Sequence, residues 1–327
     1  MTDLTTLAVN TRPYKAIDND KKAGRLSHAY LVICPDQANL DGYMRFFAKQ
    51  LLCDDKVPCG KCRHCGLIEN DAHSDVYFYP KETKGYSVEQ ITELISESFY
   101  RPIESDKKVF VLSQAQDMNA ICQNKLLKTL EEPPKNVHIL IGATGEQSLL
   151  PTLKSRVKTL RMQGFSNQTL INALKQDCPD QQRLFQAVAC GDGTLGRACE
   201  LYNDQSFNQT VELAKDILIK MQSSKDVLEF SALVTKSKVD FLKLITVLEF
   251  MLRDMLLDIC GQTQLVSNQV TLSQTKKAQG FTKGAIISII EALTQARQRK
   301  RFNANQNMLT EWLLFKILEE KFKWQKL

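Results

Sequence analysis

The sequence predicts an α/β domain built on a parallel sheet, followed by two all-helical domains. Two observations carry that prediction. In the first half, five short apolar runs alternate with segments of helical periodicity, and strands separated by helices pair in parallel through right-handed crossovers. After about residue 163 the strand signal stops and only helix-period segments remain.

The expected strands are Ala29–Ile33, Val76–Tyr79, Val109–Leu112, His138–Gly142 and Thr159–Met162. Between them, helices are expected over Gly42–Leu52, Val88–Ser98 and Met118–Glu131. The last carries Met118, Ile121, Cys122, Leu126, Leu127 and Leu130 on one broad face, and Pro133-Pro134 stops it. Ser166 is a good N-cap for a helix over Asn167–Gln176. Helices over Gln181–Ala189 and Leu195–Asn203 follow, separated by Gly191-Asp192-Gly193. Long helices then fit Phe207–Gln222, Lys225–Thr235, Val239–Cys260, Lys283–Arg299 and Met308–Lys323, with a polar loop over Gly261–Gly280. The expected domains are therefore 1–163, 164–205 and 206–327.

Composition narrows the functional classes only a little. The 327 residues include 43 Lys+Arg and 37 Asp+Glu, a net charge of +6, which permits a nucleic-acid partner without demanding one. Hydrophobic residues at 43% and charged residues at 24% exclude wholesale disorder. The most apolar stretch, Phe241 to Cys260, contains Lys243, Glu249, Arg253, Asp254 and Asp258, too many charges for a membrane span. The first residues lack the basic and then apolar run of a signal peptide, so a cytoplasmic protein is expected.

Four of the ten cysteines, Cys53, Cys59, Cys62 and Cys65, crowd into a polar loop as Cys-x5-Cys-x2-Cys-x2-Cys. Thiolates two residues apart can bite one Zn²⁺ from a tight turn, and four complete a closed, structural shell. Pro58 and Gly60 suit that turn, and His64, between two of the cysteines, is expected to face solvent. The other six, at 34, 122, 178, 190, 199 and 260, read as buried thiols of a reducing compartment. The basic knot Arg297, Arg299, Lys300 and Arg301 reads as a solvated helix end.

Several strings occur in a telling order. His28-Ala-Tyr-Leu31 enters a strand, and Tyr43–Cys53 forms the next helix. Lys108–Leu112 comes later, then Leu126-Leu-Lys-Thr-Leu-Glu-Glu-Pro-Pro134, Ile139–Thr144 and Leu150–Arg156. With the cysteine insert directly after the first helix, this run resembles the AAA+ subunits of the bacterial DNA polymerase III clamp loader, most closely the delta-prime class. The likeness covers residues 20–200 well and the C-terminal helices more loosely. It implies an AAA+ domain with a parallel five-stranded sheet and a zinc module near residues 53–65, then a helical lid and a helical collar.

A working phosphate loop of that family needs Gly-x4-Gly-Lys-Ser/Thr, whose backbone N–H groups wrap the phosphates. Aligned without gaps between His28 and Cys53, those positions hold Cys34, Asn39, Leu40 and Asp41. Leu40 cannot pair with a phosphate, and Asp41 adds an anion. Where the family's ATPases carry Asp-Glu for Mg²⁺ and water, this chain has Ser113-Gln114. No bound ATP and no intrinsic ATPase are expected.

Ser155-Arg156 matches the family's Ser-Arg-Cys motif, with Val157 in place of the cysteine. The resemblance implies that Arg156, supported by Ser155, reaches in trans to ATP on a neighbouring subunit as an arginine finger. Thr144 and Arg197 fall at the family's sensor positions, with no nucleotide of their own to sense. The implied partners are the motor (gamma/tau) and delta subunits in a polymerase holoenzyme, and, through the complex, the sliding clamp and primer–template DNA. Two rival readings are an ATP-hydrolysing motor subunit and a free-standing zinc-dependent DNA-binding protein on a degenerate AAA+ scaffold.

Overall fold

The computed structural model describes residues 4–81, 85–236, 239–266, 272–273 and 281–323. Much of the expected 261–280 loop lies outside them. The chain divides into two compact units, residues 1–166 with 194–196, and residues 167–193 with 197–327.

The first unit opens with helices α1 (Leu4–Ala8) and α2 (Arg12–Lys22), neither anticipated from sequence. The Thr11 hydroxyl caps α2 by accepting from the Tyr14 N–H, Pro13 occupies its first turn, and Lys21 and Lys22 close its last. Strands β1 (Ala29–Ile33), β2 (Val76–Tyr79), β3 (Lys108–Leu112), β4 (Val137–Ala143) and β5 (Lys158–Arg161) then form one sheet in the order β2-β3-β4-β1-β5. Every pairing is parallel, as the alternation of strands and helices predicts.

Both faces of the sheet are covered, which is why its strands read as continuous apolar runs. Tyr30 and Val32 of β1 point into one core with α3 (Leu40–Leu52), whereas Ala29 and Leu31 point into the other with α5 (Val88–Ser98) and α6 (Ala120–Glu131). Helix α3 packs so close to β4 that a Cβ at Gly142 would meet Met44 Sδ at 2.7 Å, so a side chain there would displace the Met44 side chain. Two short helices complete the unit, α4 (Arg63–Glu69) inside the cysteine insert and α7 (Pro151–Lys154) before β5. The asparagine at 119 caps α6 by accepting from the Cys122 N–H at 2.8 Å.

The second unit is helical throughout its described residues: α8 (Asn167–Leu174), α9 (Gln181–Ala189), α10 (Leu195–Asn203), α11 (Phe207–Lys220), α12 (Ser224–Lys236), α13 (Phe241–Ile259), α14 (Lys283–Arg301) and α15 (Gln306–Lys323), with one 3-10 turn. Helix α13 supplies ten buried residues, including Phe241, Leu248 and Met251, which explains its strong apolar character without a membrane. Among the described residues, no helix is long and apolar enough to cross a bilayer. Lys321 is buried here. Its ammonium caps the end of α11, donating to the carbonyls of Leu218 at 3.3 Å and Met221 at 2.9 Å.

Candidate functional site

In open α/β sheets, ligand sites form beyond the carboxyl ends of the strands. There the loop after β1 closes on its own side chains. Cys34 is buried, with its thiol 3.8 Å from the Asp36 carbonyl, and burial raises its pKa to about 12, so it is a neutral thiol. The Asp36 carboxylate accepts from the Asn39 amide at 3.0 Å and from the Gly196 backbone N–H at 3.1 Å. Leu40, at the position of a phosphate-binding lysine, begins α3 and is wholly buried in the core against Gly142.

Asp41, one residue on, lines a cavity of about 450 Å³ together with Arg45, Ser113, Gln114 and Asp117. The structure thus brings together Asp41, Ser113 and Gln114, which the sequence motifs had connected only by analogy. Ser113 is tied through its backbone, its N–H to the Tyr79 carbonyl at 2.9 Å and its carbonyl to the Tyr86 hydroxyl. Gln114 takes a left-handed conformation, φ 55°. Two carboxylates border the cavity, while Arg45 is committed to Asp71 at 2.5 and 2.8 Å and Lys81 to Glu93. A triphosphate entering here would meet anions whose cationic neighbours are already paired.

Arg156 sits two residues beyond α7, and helix α6 fixes the approach to it. The buried Gln123 accepts from the Leu150 N–H at 2.8 Å and donates to the Ser148 carbonyl at 2.9 Å. The Arg156 guanidinium donates through Nη1 to the Thr152 carbonyl at 2.9 Å and to Ser155 Oγ at 3.3 Å, and pairs through Nη2 with Glu131 at 2.5 Å. Its own carbonyl lies 3.2 Å from His28 Nε2. Ser155 therefore does touch Arg156. Glu131 was legible only as part of a motif, because no local pattern pairs residues that far apart.

The four cysteine sulfurs all lie within 4.8 Å of one another. Sγ of Cys53 is 3.7 Å from that of Cys59 and 3.9 Å from that of Cys62. A tetrahedral Zn–S bond of ~2.3 Å demands S···S separations of about 3.8 Å, so the donor set fits a metal ion. Cys53 caps α3, Cys62 caps α4, and Gly60 supplies the positive φ of the turn between them. Backbone N–H groups of Lys61 and Cys62 point at Cys59 Sγ and pull its pKa down. Burial pushes Cys53 and Cys65 up, and a bound cation would favour their thiolates.

His64 is half-buried and turned toward His73 rather than wholly toward solvent. Its Nδ1 lies 2.9 Å from His73 Nε2, and His73 Nδ1 accepts from the Asp75 N–H at 3.1 Å. A neutral His73 must then donate through Nε2, which occupies the His64 Nδ1 lone pair. The pair buttresses the insert beside the cysteines.

A family model described as DNA polymerase III, delta subunit matches residues 9–166. Over 321 residues the chain is 27% identical to DNA polymerase III subunit delta' of Bacillus subtilis, covering 94% of this chain and 96% of that relative. The chain is thus similar to the DNA polymerase III clamp-loader subunits of delta-prime type. It is also 31% identical over 166 residues to subunit gamma of Buchnera aphidicola, spanning 49% of this chain and 45% of that relative. A solved gamma subunit-related protein from Thermotoga maritima aligns with 94% of this chain and 99% of that one, at 15% identity and a TM-score of 0.42.

Other expectations from the sequence fare differently. Of the six scattered cysteines, Cys34, Cys122, Cys178 and Cys190 are buried, but Cys199 is only half-buried and Cys260 is exposed at the end of α13. The basic knot lies at the partly exposed end of α14 and also makes contacts: Arg297 pairs with Glu249, the exposed Arg299 lies 4.4 Å from the Trp312 ring centroid, and Lys300 donates to Gln306 at 3.0 Å. The side chain of Arg301 lies outside the described residues. Arg197, at a sensor position, pairs with Glu200 of its own helix at 2.8 Å. The Thr144 N–H donates to Gln116 at 3.1 Å.

Proposed function

We propose that this chain is a non-hydrolysing delta-prime subunit that supplies Arg156 in trans to ATP on a neighbouring motor subunit. It stands in a cytoplasmic ring with motor (gamma/tau) and delta subunits, and the ring loads the sliding clamp onto primed DNA. Residues 164–205 serve as the lid and 206–327 as the collar through which the ring assembles. Zn²⁺ on Cys53, Cys59, Cys62 and Cys65 is structural, since four thiolates leave no open coordination position.

The burial of Leu40 carries this reading. A side chain sealed in the core cannot be exchanged for phosphate contact without emptying a packed position, and the cations described at the neighbouring cavity, Arg45 and Lys81, are paired with Asp71 and Glu93. With its own site closed, the chain's remaining chemical resource toward a nucleotide is a guanidinium, planar and permanently charged, suited to phosphoryl oxygens. The test is reconstitution with motor, delta and clamp proteins. Omitting this chain should abolish ATP-dependent clamp loading and adding it should restore loading. Full loading without it would refute the assignment.

A further inference from the structure

Helix α6 ends badly by its own electrostatics. Glu131 and Glu132 occupy its C-terminal end, where the helix dipole disfavours carboxylates. A cation at that end offsets the cost, and Arg156 provides one, with Nη2 at 2.5 Å from Glu131 Oε1. The same helix fixes the chain entering α7 through Gln123, which uses both its oxygen and its nitrogen. Thus α6 holds the Ser148–Arg156 segment at both ends, its entry by a buried amide and its exit by a carboxylate.

The guanidinium is constrained on two sides. Nη1 is held by the Thr152 carbonyl and Ser155 Oγ, Nη2 by Glu131, and the side chain keeps about a third of its surface exposed (33%). An arginine has five N–H donors, so these three contacts leave two free for an outside acceptor. An unrestrained arginine loses rotamer freedom when it docks; one already fixed has less to lose.

We propose that Glu131 is a positioning residue, which holds the Arg156 guanidinium in one orientation so that its remaining donors meet phosphate on the neighbouring subunit. The inference rests on the trans role proposed above for Arg156. Glu131 itself need not touch nucleotide.

The test is steady-state ATPase of the reconstituted loader as a function of ATP concentration, with ring assembly followed by size-exclusion chromatography. Glu131→Ala should lower kcat at the site served by Arg156 about three- to tenfold, the cost of ordering one free side chain, with KM for ATP unchanged. Glu131→Gln keeps an oxygen acceptor for Nη2 and should recover most of the rate in an intact ring. In an Arg156→Ala background, Glu131→Ala should change nothing further. A Glu131→Ala ring as fast as wild type, while Arg156→Ala is slow, overturns the positioning role and leaves the finger standing. A further fall in the Arg156→Ala background shows that Glu131 acts only through α6, which also overturns it. An Arg156→Ala ring as fast as wild type removes the finger, and this inference with it.

Discussion

Stripping the metal from the native chain is expected to unfold the cysteine insert while the sheet persists. The insert has little core of its own. Cys53, Cys65 and Ile68 are buried, but Cys59 and Cys62 are only half-covered, and α4 has seven residues, too few to persist alone. A closed thiolate site contributes on the order of 10–16 kcal/mol of apparent binding energy, more than most whole domains hold in reserve. Other attachments are peripheral: Lys21 donates to the Cys53 carbonyl, the Tyr14 hydroxyl to the Lys56 carbonyl at 2.9 Å and Arg45 to the Ile68 carbonyl at 3.0 Å, Arg63 pairs with Glu104, and His64 meets His73. Metal analysis of protein purified without added zinc should find one Zn²⁺ per chain. A strong chelator, or Cys62→Ser, should abolish amide-exchange protection in α4 and lower the melting temperature. Protein that purifies without metal and keeps full protection in α4 would contradict the site.

Arg156→Ala is expected to slow hydrolysis at the adjoining motor site by on the order of 10³-fold, the lower end of what arginine fingers contribute. The substitution removes a charge from a partly exposed side chain whose ion pair with Glu131 is worth less than about 1 kcal/mol to folding. Chain stability and ring assembly should therefore hold. ATP binding to the motor subunits should persist, because a group that engages mainly the transition state lowers kcat rather than affinity. Single-turnover hydrolysis in the reconstituted ring measures this directly. Arg156→Lys should recover little, since an ammonium lacks the planar fork. Equal turnover by wild-type and Arg156→Ala rings would eliminate the trans role.

The α/β architecture was legible because buried parallel strands must be apolar on both faces, and the five expected runs match the five strands to within a residue or two. Helices α5, α9 and α10 were legible to their ends, the last two through the Gly191–Gly193 break between them. Helix α2 was not, since its buried residues are only Pro13, Tyr14 and Ile17 on an otherwise polar surface. Helix α4 was missed because it forms around the cysteines rather than from an apolar period of its own.

At the candidate site, residue identity supplied the expectations. Leu40 was singled out by its place in the aligned loop and is buried, and the spacing of Cys53, Cys59, Cys62 and Cys65 anticipated a cluster whose sulfurs lie within 4.8 Å of one another. Contacts distant along the chain were silent. Glu131 beside Arg156, Gln123 bridging to Ser148 and Leu150, and His64 against His73 are joined by the fold, and no spacing rule reaches them. The exposed Cys260 shows the opposite error, in which apolar neighbours along a helix were read as burial of every residue among them.

The central claim is that this chain takes a motor subunit's fold and holds no nucleotide of its own. Equilibrium binding of Mg-ATP to the purified chain, followed by isothermal titration calorimetry, tests it most directly. The closed loop around Asp36 and Leu40 predicts no saturable binding at ATP concentrations up to about 1 mM, where a Kd would correspond to roughly −4 kcal/mol. Saturable, Mg²⁺-dependent binding in the micromolar range, lost on substitution of Asp41 or Ser113, would contradict it.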